Sequence, residues 1–155
     1  MNAVVRKLLD RKDNGRKKLV FCHFRQEIDH ITHAIQSADI SCAFFDGRIS
    51  SAERRVIIRK SQEVLILQMK TACEGLNLQQ YQEVYFVSPH WNPAVEDQAI
   101  GRCHRIGQKN EIDVFRFTME NFSGRAFTLD NFCMRVQEIK REMRDIIETP
   151  PAVRV

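Results

Sequence analysis

The residues best suited to act on a phosphate lie between Gln98 and Gln108, where Gln98, Arg102 and Arg105 follow one another at i, i+4 and i+7. On a helix running from Ala94 to Arg105, that spacing brings an amide and two guanidiniums onto one face. A guanidinium stays charged at any physiological pH and offers a planar fork of donors. Set against a γ-phosphate, it stabilises the charge that develops during transfer. The same spacing suits a solvated basic helix end favoured by the helix macrodipole, and on spacing alone the two readings weigh equally. The chain has no GxxxxGK[ST] loop and no Asp-Glu pair placed behind a strand to hold magnesium. Any nucleotide chemistry in it must therefore be completed by another lobe or chain.

The other reactive side chains converge on no second chemistry. His23, His90 and His104 are not at metal-ligand spacing with one another, and Glu96 and Asp97 are adjacent, so on a helix they diverge and make no acid/base pair. Five cysteines, at 22, 42, 73, 103 and 133, form no CxxC. An odd count without such spacing suggests neither a disulfide framework nor a zinc site, so no metal site is expected, and reduced thiols in an intracellular setting are. A formal charge of +4 permits a polyanionic partner without requiring one. The start, MNAVVRKLLDRK, has no apolar signal core, and no stretch reaches the roughly 18 apolar residues of a membrane span. A soluble chain that is not exported and has no membrane partner is the expectation. A complete small α/β enzyme would need a glycine-rich phosphate loop or a nucleophile with its base, and the chain shows neither.

The elements that must position these residues alternate in type. A short amphipathic stretch carries Val4, Val5, Leu8 and Leu9 on one face ahead of the turn signal Asp13-Asn14-Gly15. Leu19 to Phe24 reads as a strand, and Glu27 to Ala38 as a helix with Ile28, Ile31 and Ile35 in phase. Ile40 to Phe45 reads as a second strand. Ser50 and Glu53 have capping-box spacing for a helix that ends at Lys60. Val64 to Gln68, Glu83 to Val87 and Ile112 to Thr118 complete the strands, with the helix from Ala94 to Arg105 between the last two. The runs Val64 to Gln68 and Glu83 to Val87 lack strict alternation, as strands covered on both faces do. Strands separated by helices predict an α/β fold with a mainly parallel sheet and right-handed crossovers. From Leu129 to Ile147, Phe132, Val136, Ile139 and Met143 recur at three- and four-residue steps among basic residues. This predicts a long amphipathic helix that packs across the domain or reaches a neighbouring one. Residues 149–155 read as a frayed tail, leaving 1–148 as one domain.

These segments resemble, in order, the motifs of the Swi/Snf-like branch of superfamily-two helicases. KKLVFCHF (17–24) is similar to motif four and FFDGRISSAERR (44–55) to the block after it. TACEGLNL (71–78) is similar to motif five, VSPHWNP (87–93) to the bridge that follows, and Gln98, Arg102, His104, Arg105, Gly107 and Gln108 to motif six, QxxxRxHRxGQ. The resemblance covers about residues 17–118 and departs from the family at Ala72 and Cys73, where a glycine pair is usual. It implies a RecA-like three-layer sandwich, the second lobe of an ATP-dependent translocase on double-stranded DNA, closing over ATP and magnesium held by an N-terminal lobe. Met1 lying so close ahead of motif four fits the tail half of a longer chain, or an excised piece of one.

The resemblance also implies roles. Arg105 is the arginine finger, Arg102 a second phosphate or interlobe contact, Gln98 an organiser of the ATP site, and Gly75 the glycine of motif five. DNA phosphates are expected at the carboxyl ends of the strands, with His23 and Arg25, Gly47 and Arg48, Lys70 and Thr71, and Trp91 and Asn92 as candidates. Trp91, the one tryptophan, either anchors its loop in the core or stacks on nucleic acid. Nucleosomes or other protein–DNA complexes are possible partners, and a nuclear or other intracellular DNA compartment, a viral factory included, is the expected location. A non-catalytic nucleic-acid or partner-binding module, and an RNA helicase lobe, are the competing readings.

Overall fold

The computed structural model describes residues 2–73, 75–119 and 127–148, without the side chains of Ala72, Cys73, Ile147 and Glu148. The segment expected to fray, 149–155, lies outside the described residues. Helix α1 (Asn2–Asp10) leads through a short 3-10 turn into strand β1 (Lys18–Cys22). Then follow α2 (Arg25–Gln36), β2 (Cys42–Phe45), α3 (Ser51–Lys60), β3 (Val64–Gln68), a second 3-10 turn (Met69–Cys73), β4 (Glu83–Phe86), α4 (Pro93–Ile100), β5 (Asp113–Arg116) and α5 (Leu129–Glu148).

All four strand pairings are parallel, and the sheet order is β2-β3-β1-β4-β5. Because side chains alternate across a strand, Leu19 and Phe21 of β1 enter one core with Phe45, Leu65, Leu67 and Phe86. Val20 and Cys22 enter the other, with Ile28, Ile31 and Ile35 of α2 and Val4 and Leu8 of α1. The apolar residues of α3 and α4, Ile57, Ile58, Val95 and Ala99, pack on the first core. Steps in opposite directions along the sheet, β1 to β2 and β2 to β3, thus place their helices on opposite faces, as a uniform crossover hand requires. The result is the three-layer α/β sandwich expected of a RecA-like lobe. No described helix is long and apolar enough to cross a membrane.

Local chemistry sets several boundaries. The Glu27 carboxylate accepts from the backbone N–H groups of His23 and Phe24 at 2.8 and 3.0 Å, so α2 opens two residues earlier than its periodicity suggests. Ser50 and Glu53 cap α3 reciprocally: Glu53 N–H donates to Ser50 Oγ at 3.3 Å, and the Glu53 carboxylate takes the Ser50 N–H at 2.9 Å. The Ser50 hydroxyl, followed by the Ser50 N–H, holds the Glu53 carboxyl below its ordinary value. Ser50→Ala should lower stability by about 1 kcal/mol, read as a shift in the urea midpoint, while Ser50→Asp should leave it near wild type.

At the amino-terminal edge of the sheet the fully buried Glu83 binds three partners. Arg11 Nε and Nη2 reach Glu83 Oε1 at 2.9 and 2.6 Å, Asn14 Nδ2 reaches the same oxygen at 2.6 Å, and the Tyr85 hydroxyl donates to Oε2 at 2.6 Å. Arg11 and Arg16 also grip Asp113 at 3.0 and 2.7 Å. These bonds tie α1 and its following turn to the first residues of β4 and β5.

Candidate functional site

The helix expected to run to Arg105 stops at Ile100. Gly101, a weak helix former, is its C-cap, and the Arg102 carbonyl is taken by Leu78 N–H from another loop at 3.1 Å. Arg102 and Arg105 therefore sit on consecutive tight turns beyond the helix that carries Gln98, and the single helical face expected for the three does not form. Cross-loop bonds take over the positioning. Gln79 Nε2 donates to the Ile106 carbonyl at 3.0 Å, and Gln108 Nε2 to the Gln79 carbonyl at 2.7 Å. The motif-five and motif-six segments are thereby braced as one surface, with Gly75 and Gly107 both at positive φ, +28° and +101°. Gly107 stands at a backbone conformation that side chains rarely adopt. Arg105 is exposed and, among the described residues, spends only Nε, on the Gly101 carbonyl at 3.2 Å. Its two terminal nitrogens are left for an outside acceptor, and Ile106 beside it is fully exposed. Such a guanidinium suits a triphosphate held on a facing surface. Among the described residues no group of three His, Cys, Asp or Glu could hold a metal ion.

The second group lies along the carboxyl edge of the sheet, because every strand is parallel and each candidate follows a strand end. In strand order these are Gly47 and Arg48, Lys70 and Thr71, His23 and Arg25, then Trp91 and Asn92. Their availability differs. Lys70 and Arg25 are exposed cations. Arg25 lies against Gly47, where an added Cβ would meet its Nη2 at 3.3 Å. Arg48 is engaged, with Nε on Asp46 at 2.7 Å and Nη2 on Asp29 at 2.8 Å, and its guanidinium lies over the Phe44 ring. Asp46 is buried, which raises its pKa, yet the bonds from Arg48 outweigh burial and the carboxyl stays below its ordinary value. Thr71 is buried and donates to the Gln68 carbonyl at 2.7 Å. Asn92 caps α4, its side chain accepting from Ala94 N–H at 3.2 Å. Thr71 and Asn92 are thus occupied in holding the edge.

Trp91 is 56% exposed, so the core-anchor alternative does not describe it. Its ring continues a stack in which His23 and His90 lie 5.6 Å apart, and His90 and Trp91 5.8 Å apart. Lys140 from α5 lies over the indole, with Nζ 3.9 Å from the ring centroid. Beneath this stack is a residue that sequence reasoning set aside, the fully buried Glu96. It accepts from His90 N–H at 2.9 Å, Arg116 Nε at 2.9 Å and Gln137 Nε2 at 2.8 Å. Gln137 also donates to the His90 carbonyl. One carboxylate so joins the Trp91 loop, β5 and α5. The available signal was phase: Pro93, Glu96 and Ala99 follow at three-residue steps, on the face of α4 that enters the core.

Comparison with known proteins gives these surfaces a family. The helicase conserved C-terminal domain family matches residues 1–107. DNA repair protein RAD5 of Saccharomyces cerevisiae is 32% identical over 154 residues, covering 92% of this chain and 13% of the relative. An uncharacterized ATP-dependent helicase of Mycoplasma pneumoniae is 35% identical over 136 residues, covering 84% of this chain and 13% of the relative. The chain thus spans about one-eighth of the length of these relatives. The crystal structure of the C-terminal part of the Fun30 ATPase domain superposes with a TM-score of 0.70 at 21% identity, covering 93% of this chain and 53% of that one. The chain belongs to the helicase conserved C-terminal domain family, as a RecA-like C-terminal lobe of the Swi/Snf-like branch.

Proposed function

We propose that this lobe closes over ATP and magnesium held by an N-terminal lobe of the same parent protein, and that its carboxyl edge tracks the phosphates of double-stranded DNA in a nuclear setting. The observation that carries the reading is the exposed Arg105, which among the described residues spends only Nε, on a loop braced against Gln79. In the closed state Arg105 places charge where it develops on the γ-phosphoryl oxygens, Arg102 makes a second phosphate or interlobe contact, and Gln98 helps to organise the site. Bound ATP supplies the transferable phosphoryl group. The chain supplies positioned cations, a backbone that can come close at Gly75, and the exposed Ile106 as an apolar contact for the closing lobe. Alone, it should neither bind ATP tightly nor turn it over, whereas joined to a lobe bearing a phosphate-binding loop it should show DNA-stimulated hydrolysis.

On the DNA side, Lys70, Arg25 and Trp91 are proposed to meet the duplex directly, with His23 supporting the Trp91 stack and Gly47 leaving room for Arg25. Arg48, Thr71 and Asn92 contribute mainly by holding the edge in shape. Contacts of this kind are sequence-independent and steep in salt. Titrating duplex DNA while following the fluorescence of Trp91 measures the binding. Lys70→Ala should weaken binding about equally for all sequences and reduce the slope of log K against log salt by about 0.9; an unchanged slope would remove Lys70 from the interface. Stimulation of the two-lobe protein by RNA rather than duplex DNA would instead favour an RNA helicase lobe.

A further inference from the structure

Among the described residues, the polar contacts of helix α5 with the body of the lobe fall on one side of the helix. Gln137 meets Glu96, Lys140 lies over Trp91, and Arg141 and Arg144 reach Asp97 at 3.8 and 3.4 Å. A second stripe, Leu129, Phe132, Val136, Ile139, Met143 and Ile146, advances by alternating steps of three and four residues, the a/d spacing of a coiled-coil seam. It lies roughly a third of a turn around the helix from the side that faces the domain. Apart from the half-buried Val136, these residues run from 44% exposed at Ile139 to 75% at Leu129. Large apolar side chains left in water in one continuous row mark an association surface.

The flanking charges select the occupant. Arg135 and Glu142 each stand one residue before a seam residue, and Lys140 one residue after Ile139. Among the described residues, neither Arg135 nor Glu142 makes an ion pair. Two copies of α5 packed in parallel would set Arg135 of each beside Lys140 of the other, a like-charge contact made twice. Packed antiparallel about a point midway between Val136 and Ile139, they set Val136 against Ile139, Phe132 against Met143 and Leu129 against Ile146 of the second copy. Arg135 then meets Glu142 twice. We propose that α5 is a self-association seam on which a second copy of this chain docks antiparallel through these six residues. Each helix is already formed on its lobe, which removes the ordering cost that makes so short a seam marginal as free peptides.

Sedimentation velocity of the chain over about 1 to 200 µM, the regime of a small interface, should show a monomer–dimer equilibrium. Ile139→Asp combined with Met143→Asp should leave only monomer, with the helical circular dichroism and melting temperature of the wild type, because both side chains are exposed. Arg135→Glu and Glu142→Arg should each weaken the dimer about tenfold, and the double exchange should restore it to within about threefold of wild type. A monomer throughout the range overturns the proposal. So does a dimer indifferent to the Asp substitutions, or a double exchange no better than the single ones.

Discussion

Replacing Arg105 by alanine, in a protein that joins this lobe to its nucleotide-binding partner lobe, should lower DNA-stimulated ATP turnover by about 10³ to 10⁵. The size follows from where the charge acts. A guanidinium brought to the γ-phosphoryl oxygens opposes charge that accumulates only during transfer, so its loss appears in kcat and far less in the KM for ATP. Arg105→Lys should recover little, because an ammonium lacks the planar fork. A structural explanation is excluded by independent readouts. Arg105 is exposed and makes one backbone contact, to the Gly101 carbonyl, so the melting temperature and the DNA affinity of the variant should match the wild type. Turnover that survives Arg105→Ala would pass the finger role to Arg102 or dissolve it. Loss of turnover together with loss of folding would be read from Arg105→Lys, which preserves the stem.

The same residues show what a sequence discloses and what it hides. Strand β3 matched its expected bounds, because Val64 to Leu67 is an apolar run between the polar Glu63 and Gln68, and α3 was marked by the reciprocal Ser50 and Glu53 cap. Both signals are local. Helix α4 is shorter than its sequence pattern predicts because what ends it is not local: the Arg102 carbonyl is claimed by Leu78, and Gly101 gives the turn. The arrangement of Arg102 and Arg105 against Gln79 therefore depends on a loop contact that helical periodicity cannot express. Arg48 looked like a phosphate ligand by type and place, yet Asp29, 19 residues away, shares its guanidinium with Asp46. Glu83 was hidden for the same reason, since its partners come from distant segments, whereas the phase of Glu96 marks its burial but not the three groups it binds.

Glu83→Ala should be the most destabilising single change at the sheet's amino-terminal edge, at about 3 kcal/mol by urea denaturation at neutral pH. Removing Glu83 leaves Asn14 Nδ2 and the Tyr85 hydroxyl without this acceptor and Arg11 with Asp113 alone, which is the costly way to break a buried pair. Burial pushes the Glu83 pKa up from 4.5, but the bonds from Arg11, Tyr85 and Asn14 outweigh it, and the carboxyl lies below that value in the folded chain. A carboxyl with a depressed folded pKa contributes stability fully above its unfolded pKa and loses it as pH falls through the folded one. The gap between wild type and Glu83→Gln should therefore be constant from neutral pH to about 5 and narrow steadily below about 4. Asp46 is held below its ordinary value as well, so the total acid sensitivity belongs to more than one group, and the wild-type minus variant difference isolates the share of Glu83. A gap that widened on acidification would mean that the carboxyl is protonated more readily in the folded chain than in the unfolded one. Burial would then prevail over the three donors, and the polar tie between the turn after α1 and the sheet would rest on Asp113 with Arg11 and Arg16.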